Sequence, residues 1–358
     1  MIKKNFKKGI VMAILLFAMI FAAACGDDEN LSDLEMFEEA VRANLNRDSF
    51  SFAGELSFSS EDLQTEDPNL GMMLGMMSQI RLNMEGSVDQ RDSENPKMHF
   101  EGIMNAMGMG IGMELYLEDH LMAVRAPMMV QILQDPRLMD GFLLMDTSTI
   151  EHEEYRNDTA LILDEADVLS LFKYLGEAAL SLMDEDFIEN RGEDTITIAG
   201  EKVKATEMVV TIGGEEIQKI FRGTPELIRD EEFRQRLKAI FHEGQQEKID
   251  EELDALEEML DDEAIDEGLQ KMKEIFDFER TEIQYAFFIN TDLQIVKEDG
   301  AITLAMDDGK ESAVLEFKLM MEYWDINASI DIEIPEFNND NSVYLEEILE
   351  NMFMFPGI

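Results

Sequence analysis

Over most of the first and last thirds of this chain apolar residues return at every second position, and between those thirds they return at every third or fourth. In residues 49–59 Phe50, Phe52, Gly54, Leu56 and Phe58 are apolar or small, while Ser51, Glu55, Ser57 and Ser59 are polar. Successive side chains of a strand point to opposite faces, so this spacing predicts a half-buried strand. The alternation recurs at Ile80, Leu82, Met84 and Val88, then at Met98 and Phe100, then at the odd positions from Met107 to Leu117. Glu118-Asp119-His120 turns that last run into 121–125, and the whole series predicts an antiparallel meander. Toward the C-terminus strands are expected at 283–289, 293–296, 302–306, 315–321 and 330–334, the last closing at Pro335.

The helical period appears in three places. Leu34, Phe37, Val41 and Leu45 predict a short helix with Asp33 as N-cap. Val168, Phe172, Leu175, Ala179 and Leu182 form one stripe near 165–184. After a strand at 203–212, Thr224-Pro225 reads as a helix start, with Phe233, Leu237, Ile240 and Phe241 carrying that helix to Gly244. From Ile249 the apolar set runs through Leu253, Leu256 and Leu260, slips phase at Asp261-Asp262, and resumes at Ile265, Leu269, Met272 and Phe276, as two helices or one kinked helix. A final short helix is expected at 343–352. Strands at both ends with helices between them give an α+β fold class, one domain over 33–358 built on a large curved antiparallel sheet, with a helical insert at about 214–280.

The first residues fall outside this pattern. Lys3, Lys4, Lys7 and Lys8 precede an uncharged apolar run from Gly9 to Ala24, followed by Cys25, the sole cysteine. The run is too short for a comfortable membrane span, and the small residues Ala22 and Ala24 admit a peptidase at the following bond. The stretch resembles a bacterial lipobox, with Ala22 where such boxes more often carry Leu. It predicts a signal peptide at 1–24, cleavage before Cys25, diacylation of the Cys25 thiol, and a polar tether over 25–32. The mature protein is then expected on the extracytoplasmic face of the bacterial cell membrane, held through lipid on Cys25.

Charge narrows the partners. Removing residues 1–24 takes away four lysines and no acid, which moves the formal net charge from -50 to -54. Nucleic acid is excluded as a partner, because a phosphate backbone needs Lys and Arg to displace its counterions. Residues 243–268 hold thirteen Asp or Glu and one Lys, read as a solvated face.

The order lipobox, amphipathic helix, then Ser49-Phe50-Ser51-Phe52-Ala53-Gly54 resembles small Gram-positive lipoproteins of the LolA-like and LppX-like lipoprotein carrier superfamily. The segment Leu117 to Pro127, the turn Asn290-Thr291-Asp292-Leu293 and the ending from Asn327 to Pro335 extend the likeness over most of 33–350. The resemblance implies a half-barrel sheet wrapped around helices, with an apolar cavity that in some members takes lipid or lipopeptide chains.

No catalytic constellation accompanies it. His152-Glu153-Glu154-Tyr155-Arg156 starts like a zinc helix motif but has Arg156 at the second histidine position. Gly108, Gly110 and Gly112 lie inside an alternating run, and Asn338 to Ser342 lacks the turn glycine of a calcium loop. No enzyme activity, metal or cofactor is expected. Of the 28 methionines three belong to residues 1–24; the rest read as core filler, as a malleable ligand-cavity lining, or as thioethers for Cu(I). The expected ligand-binding residues are Phe50, Phe52, Phe58, Leu82, Met84, Met109, Met113 and Leu115 on one side of the sheet, facing Val168, Phe172 and Leu175. Two functions follow: a membrane-anchored, non-catalytic carrier of an apolar, lipid-like ligand, or a structural lipoprotein whose acidic helices contact an envelope protein partner.

Overall fold

The computed structural model describes residues 32–64, 68–92, 95–106, 109–128, 135–146, 187–239, 243–259, 262–307 and 312–348, with 130, 133, 171, 174 and 175. Residues 25–31 of the tether, Val168, Phe172 and the 152–156 segment lie outside these residues.

The strands are β1 (Ser49–Gln64), β2 (Arg81–Asp89), β3 (Lys97–Ala106), β4 (Met109–Glu118), β5 (Leu121–Arg125), β6 (Phe142–Asp146), β7 (Ile188–Ile198), β8 (Glu201–Gly213), β9 (Glu282–Asn290), β10 (Ile295–Asp307), β11 (Ser312–Trp324) and β12 (Ser342–Tyr344). All twelve belong to one open, curved sheet in the order β12-β6-β5-β4-β3-β2-β1-β11-β10-β9-β8-β7. Every pairing is antiparallel except the short β12–β6 contact. The N-terminal and C-terminal meanders join through β1 and β11, paired from Ser51↔Trp324 to Gln64↔Ser312. The expected α+β class and the sheet that takes in both ends of the chain are therefore present.

The helices are α1 (Asp33–Leu45), α2 (Pro68–Met77), α3 (Gly214–Arg229), α4 (Glu231–Ala239), α5 (Glu243–Met259) and α6 (Asp262–Lys273), with a short 3-10 turn at Pro136–Met139. The N-cap of helix α1 is Ser32, one residue before the expected cap: Ser32 accepts from the Glu35 amide at 3.3 Å and the Glu35 carboxylate accepts from the Ser32 amide at 2.7 Å. This reciprocal box satisfies two donors that an N-terminal turn leaves without partners. Phe37, Ala40 and Val41 face the sheet, Phe37 meeting the Phe287 ring edge-on at 5.0 Å.

Several elements differ from the expectation. Pro225 lies inside α3, which starts at Gly214, so Thr224-Pro225 is not a helix start; Asp230 ends α3 and its carboxylate accepts from the Phe233 amide to open α4. The phase slip at Asp261 does separate two helices, α5 and α6. Strands expected at 293–296 and 302–306 are one strand, β10, because the polar run between them pairs continuously with β11. Residues 330–334 form no strand, and Val343 sits in β12 before a helical turn at 345–348. Elements α2, β6 and β7 were without a periodic signal. Strand β7 is a sheet edge whose residues are mostly exposed on both faces, which removes the alternation that marks a half-buried strand.

Candidate ligand-binding face

Directly paired residues in a sheet share a face, so the registers fix which side chains stand together. Phe52 opposes Gly86, Gly86 opposes Phe100, and Phe100 opposes Leu115. In the neighbouring rows Leu56, Leu82 and Met104 align, as do Gly54, Met84, Gly102 and Met113. On the other side of β1 the same face continues through Tyr323, Met321, Leu319 and Phe317 of β11. Phe50, Phe52, Phe58, Leu82, Met84, Met109, Met113 and Leu115 therefore do share one face, the face on which the helices pack.

Coverage of that face is uneven. Over β8 to β11 it is buried by α1 and α3: Met208, Val210, Ile212, Tyr285, Phe287 and Ile289 form one core with Phe37, Val41 and Ile217. Over β1's far end α2 lays Leu74 onto Phe58 and Leu315. Over β2, β3 and β4 the described side chains of this face are only partly covered. Leu82, Met84, Phe100, Met104 and Leu115 are half-buried, and Met113 is 40% exposed. Phe58 is a core residue beneath α2. Met109 stands 65% exposed at the end of β4. Phe100 and Met104 also belong to the strip, beyond the residues expected there; the Met98, Phe100, Gly102, Met104 alternation carries that signal.

Aromatic rings line the strip's inner border. Phe50 and Phe52 lie 6.0 Å apart, Phe52 and Phe100 6.4 Å, and Phe50 meets Tyr323 at 6.0 Å. Gly86 is required here, since a Cβ on it would come 2.8 Å from the Phe52 ring and collide with the His99 carbonyl.

A buried polar group marks the boundary between strip and core. The Arg47 guanidinium donates to the Ile295 carbonyl and stands 4.4 Å over the Tyr323 ring and 5.7 Å over Phe50. Glu298 on β10 is fully buried, and neither of its carboxylate oxygens makes a hydrogen bond of ordinary geometry. Burial pushes its carboxyl up to about 7, opposed by the Arg47 charge and the nearby Tyr323 hydroxyl. Burial likewise draws Arg47 down to about 10 and raises the Tyr285 and Tyr323 phenols.

The opposite face carries two apolar clusters, Ala123, Phe142 and Leu144 near one end and Ile198, Ala205 and Val296 near the other, with a polar patch on β3 and β4. His99 stacks on Tyr116 at 4.6 Å, the Tyr116 hydroxyl donates to Glu114 at 2.7 Å, and Arg125 donates to the other Glu114 oxygen. Among the described residues no group of three His, Cys, Asp or Glu is placed to hold a metal ion, and no helix is long and apolar enough to cross a membrane. An open concavity of about 520 Å³ on α4 is lined by Glu231, Glu232, Gln235 and Arg236, a charged lining unsuited to an apolar ligand.

No protein-family model matches the sequence, and no curated protein matches it. Among solved structures it is similar to the crystal structure of LprF from Mycobacterium bovis, at 9% identity over 85% of this chain and 97% of that one, with a TM-score of 0.33. A structure concerned with lipid–protein interactions in lipovitellin aligns at 10% identity over 81% of this chain and 26% of that one, with a TM-score of 0.22. Neither score is high enough to carry a residue's role across, so function is read from this chain's own side chains.

Proposed function

We propose that this protein is a membrane-anchored, non-catalytic binding protein for an apolar, lipid-like ligand, held to the extracytoplasmic face by acylation of Cys25. The observation that carries the reading is the apolar strip Phe50, Phe52, Leu82, Met84, Phe100, Met113 and Leu115, half-exposed in a sheet whose same face is elsewhere buried. A contiguous apolar surface of this kind costs solvation free energy unless something covers it. Flexible methionines at its open end repack around chains of differing shape, which suits acyl groups. Burying a methylene is worth about 0.8 kcal/mol, so about ten give roughly 8 kcal/mol before the ordering costs of binding. No polar recognition is needed for useful affinity, and the head group is expected to matter little.

Titration with a fluorescent fatty acid tests this. Met113→Asp places a charge on the strip and is expected to weaken binding by about tenfold or more. Ile103→Asp is the matched control: Ile103 is 42% exposed on β3 but points to the opposite face, opposing Gly112. Glu114 is unsuitable for this comparison because it accepts from Tyr116 and Arg125. Equal weakening by both substitutions, or no binding by the unaltered protein, would remove the strip as the site.

A further inference from the structure

Methionine is seldom fully buried among the described residues. Among the described residues two of the 38 buried hydrophobic residues are Met, namely Met208 and Met321, whereas eight of the eleven large hydrophobic residues left exposed are Met. Some half-buried methionines, Met36, Met77 and Met306 among them, do pack against the core clusters, and the exposed ones need a separate account. Helix α2 concentrates them. Its segment Gly71-Met72-Met73-Leu74-Gly75-Met76-Met77 repeats Gly-Met-Met at a four-residue interval. Leu74 and Met77 turn onto the sheet at Phe58, Ala313 and Leu315, leaving Met72, Met73 and Met76 exposed at 62%, 40% and 42%.

That arrangement has a chemical meaning beyond apolarity. Residues at i and i+4 of a helix are surface neighbours with Cβ atoms about 5–6 Å apart, so the sulfurs of Met72 and Met76, on unbranched three-torsion side chains, can converge on one atom. Met73 adjoins both. A thioether carries no charge and accepts hydrogen bonds weakly, so hard cations gain little from it; a soft ion with a filled d shell gains most. Between residues 68 and 80 there is no charged side chain, so no carboxylate or ammonium competes on the helix itself. The whole chain, at a formal -50, draws cations toward it.

We infer that the exposed thioethers of Met72, Met73 and Met76 on α2 form a binding site for Cu(I). The site needs no occupant on the apolar strip and stands or falls separately from lipid binding. Full-length protein in detergent micelles, titrated anaerobically against the coloured Cu(I)–bicinchoninate complex, is expected to withdraw Cu(I) from it. The double substitution Met72→Leu, Met76→Leu keeps volume and helix propensity and should weaken that withdrawal by about tenfold or more. Met320→Leu, at another exposed methionine on the opposite face, should leave it unchanged. With methionine ε-methyl groups labelled with carbon-13, Ag(I) as a stand-in should shift the Met72, Met73 and Met76 resonances alone. Failure of the unaltered protein to withdraw Cu(I), equal withdrawal by the double variant, or shifts spread evenly over Met109, Met113 and Met320 would overturn the assignment.

Discussion

Replacing Cys25 by Ser should release the protein from the membrane or leave it unprocessed with residues 1–24 attached. Among the described residues no helix can cross a membrane, and a chain at -50 is repelled by anionic head groups, so an acyl anchor is the means of attachment the sequence offers. The effect is close to all-or-none, because removing the thiol removes the atom to which the diacylglyceryl group bonds. Fractionation and labelling with a radioactive fatty acid measure it. Label still incorporated into Cys25→Ser protein, or Cys25→Ser protein that has lost residues 1–24 yet stays in the membrane fraction, would refute the anchor.

The second large effect is a pH dependence of stability that resides in Glu298. Its folded carboxyl sits near 7 against an ordinary 4.5, with Arg47 from the α1–β1 junction, Tyr323 from β11 and Tyr285 from β9 as the ionisable groups around it. Between those values the folded state keeps a proton that the unfolded state has lost. The contribution is fully present below the unfolded value and is lost as pH rises through the folded one. Each pH unit in that window costs the folded state about 1.4 kcal/mol, so the total approaches 3 kcal/mol by pH 8, after which it is flat. General carboxylate repulsion has the same sign, so the informative quantity is a difference. Chemical denaturation of the unaltered protein and of Glu298→Gln should give curves that diverge from pH 5 upward, with the Gln variant the more stable at pH 8. Parallel curves would mean that Glu298 is ionised without penalty. Removing the other partner acts in the opposite direction: Arg47→Met takes away the charge that offsets Glu298 burial and two ring contacts.

How far the sequence revealed the site follows from the physics of each signal. Alternation survives register, so the residues sharing a face could be read from the chain: Phe52, Met84 and Leu115 were placed together before any pairing was known. Which part of that face is covered depends on where helices land, and no local pattern encodes it. Phe58 and Phe52 look alike in sequence, yet Leu74 of α2 buries one and leaves the other half-open. Helix α2 itself was illegible because an unbroken apolar run has no period. Strand β10 was split for the opposite reason: Lys297-Glu298-Asp299 reads as a polar break, and only the structure shows that Glu298 is buried within a continuous strand.

The proposed function requires that the half-open strip carry an apolar chain. Native mass spectrometry of the protein extracted from its own membranes, without added lipid, addresses it most directly. Acylation at Cys25 adds mass that persists under denaturing conditions, whereas a bound ligand adds mass that denaturation removes. A removable lipid mass is expected on the unaltered and Ile103→Asp proteins and is lost or strongly reduced in Met113→Asp. No removable mass on the unaltered protein, or the same mass retained by Met113→Asp, would contradict it.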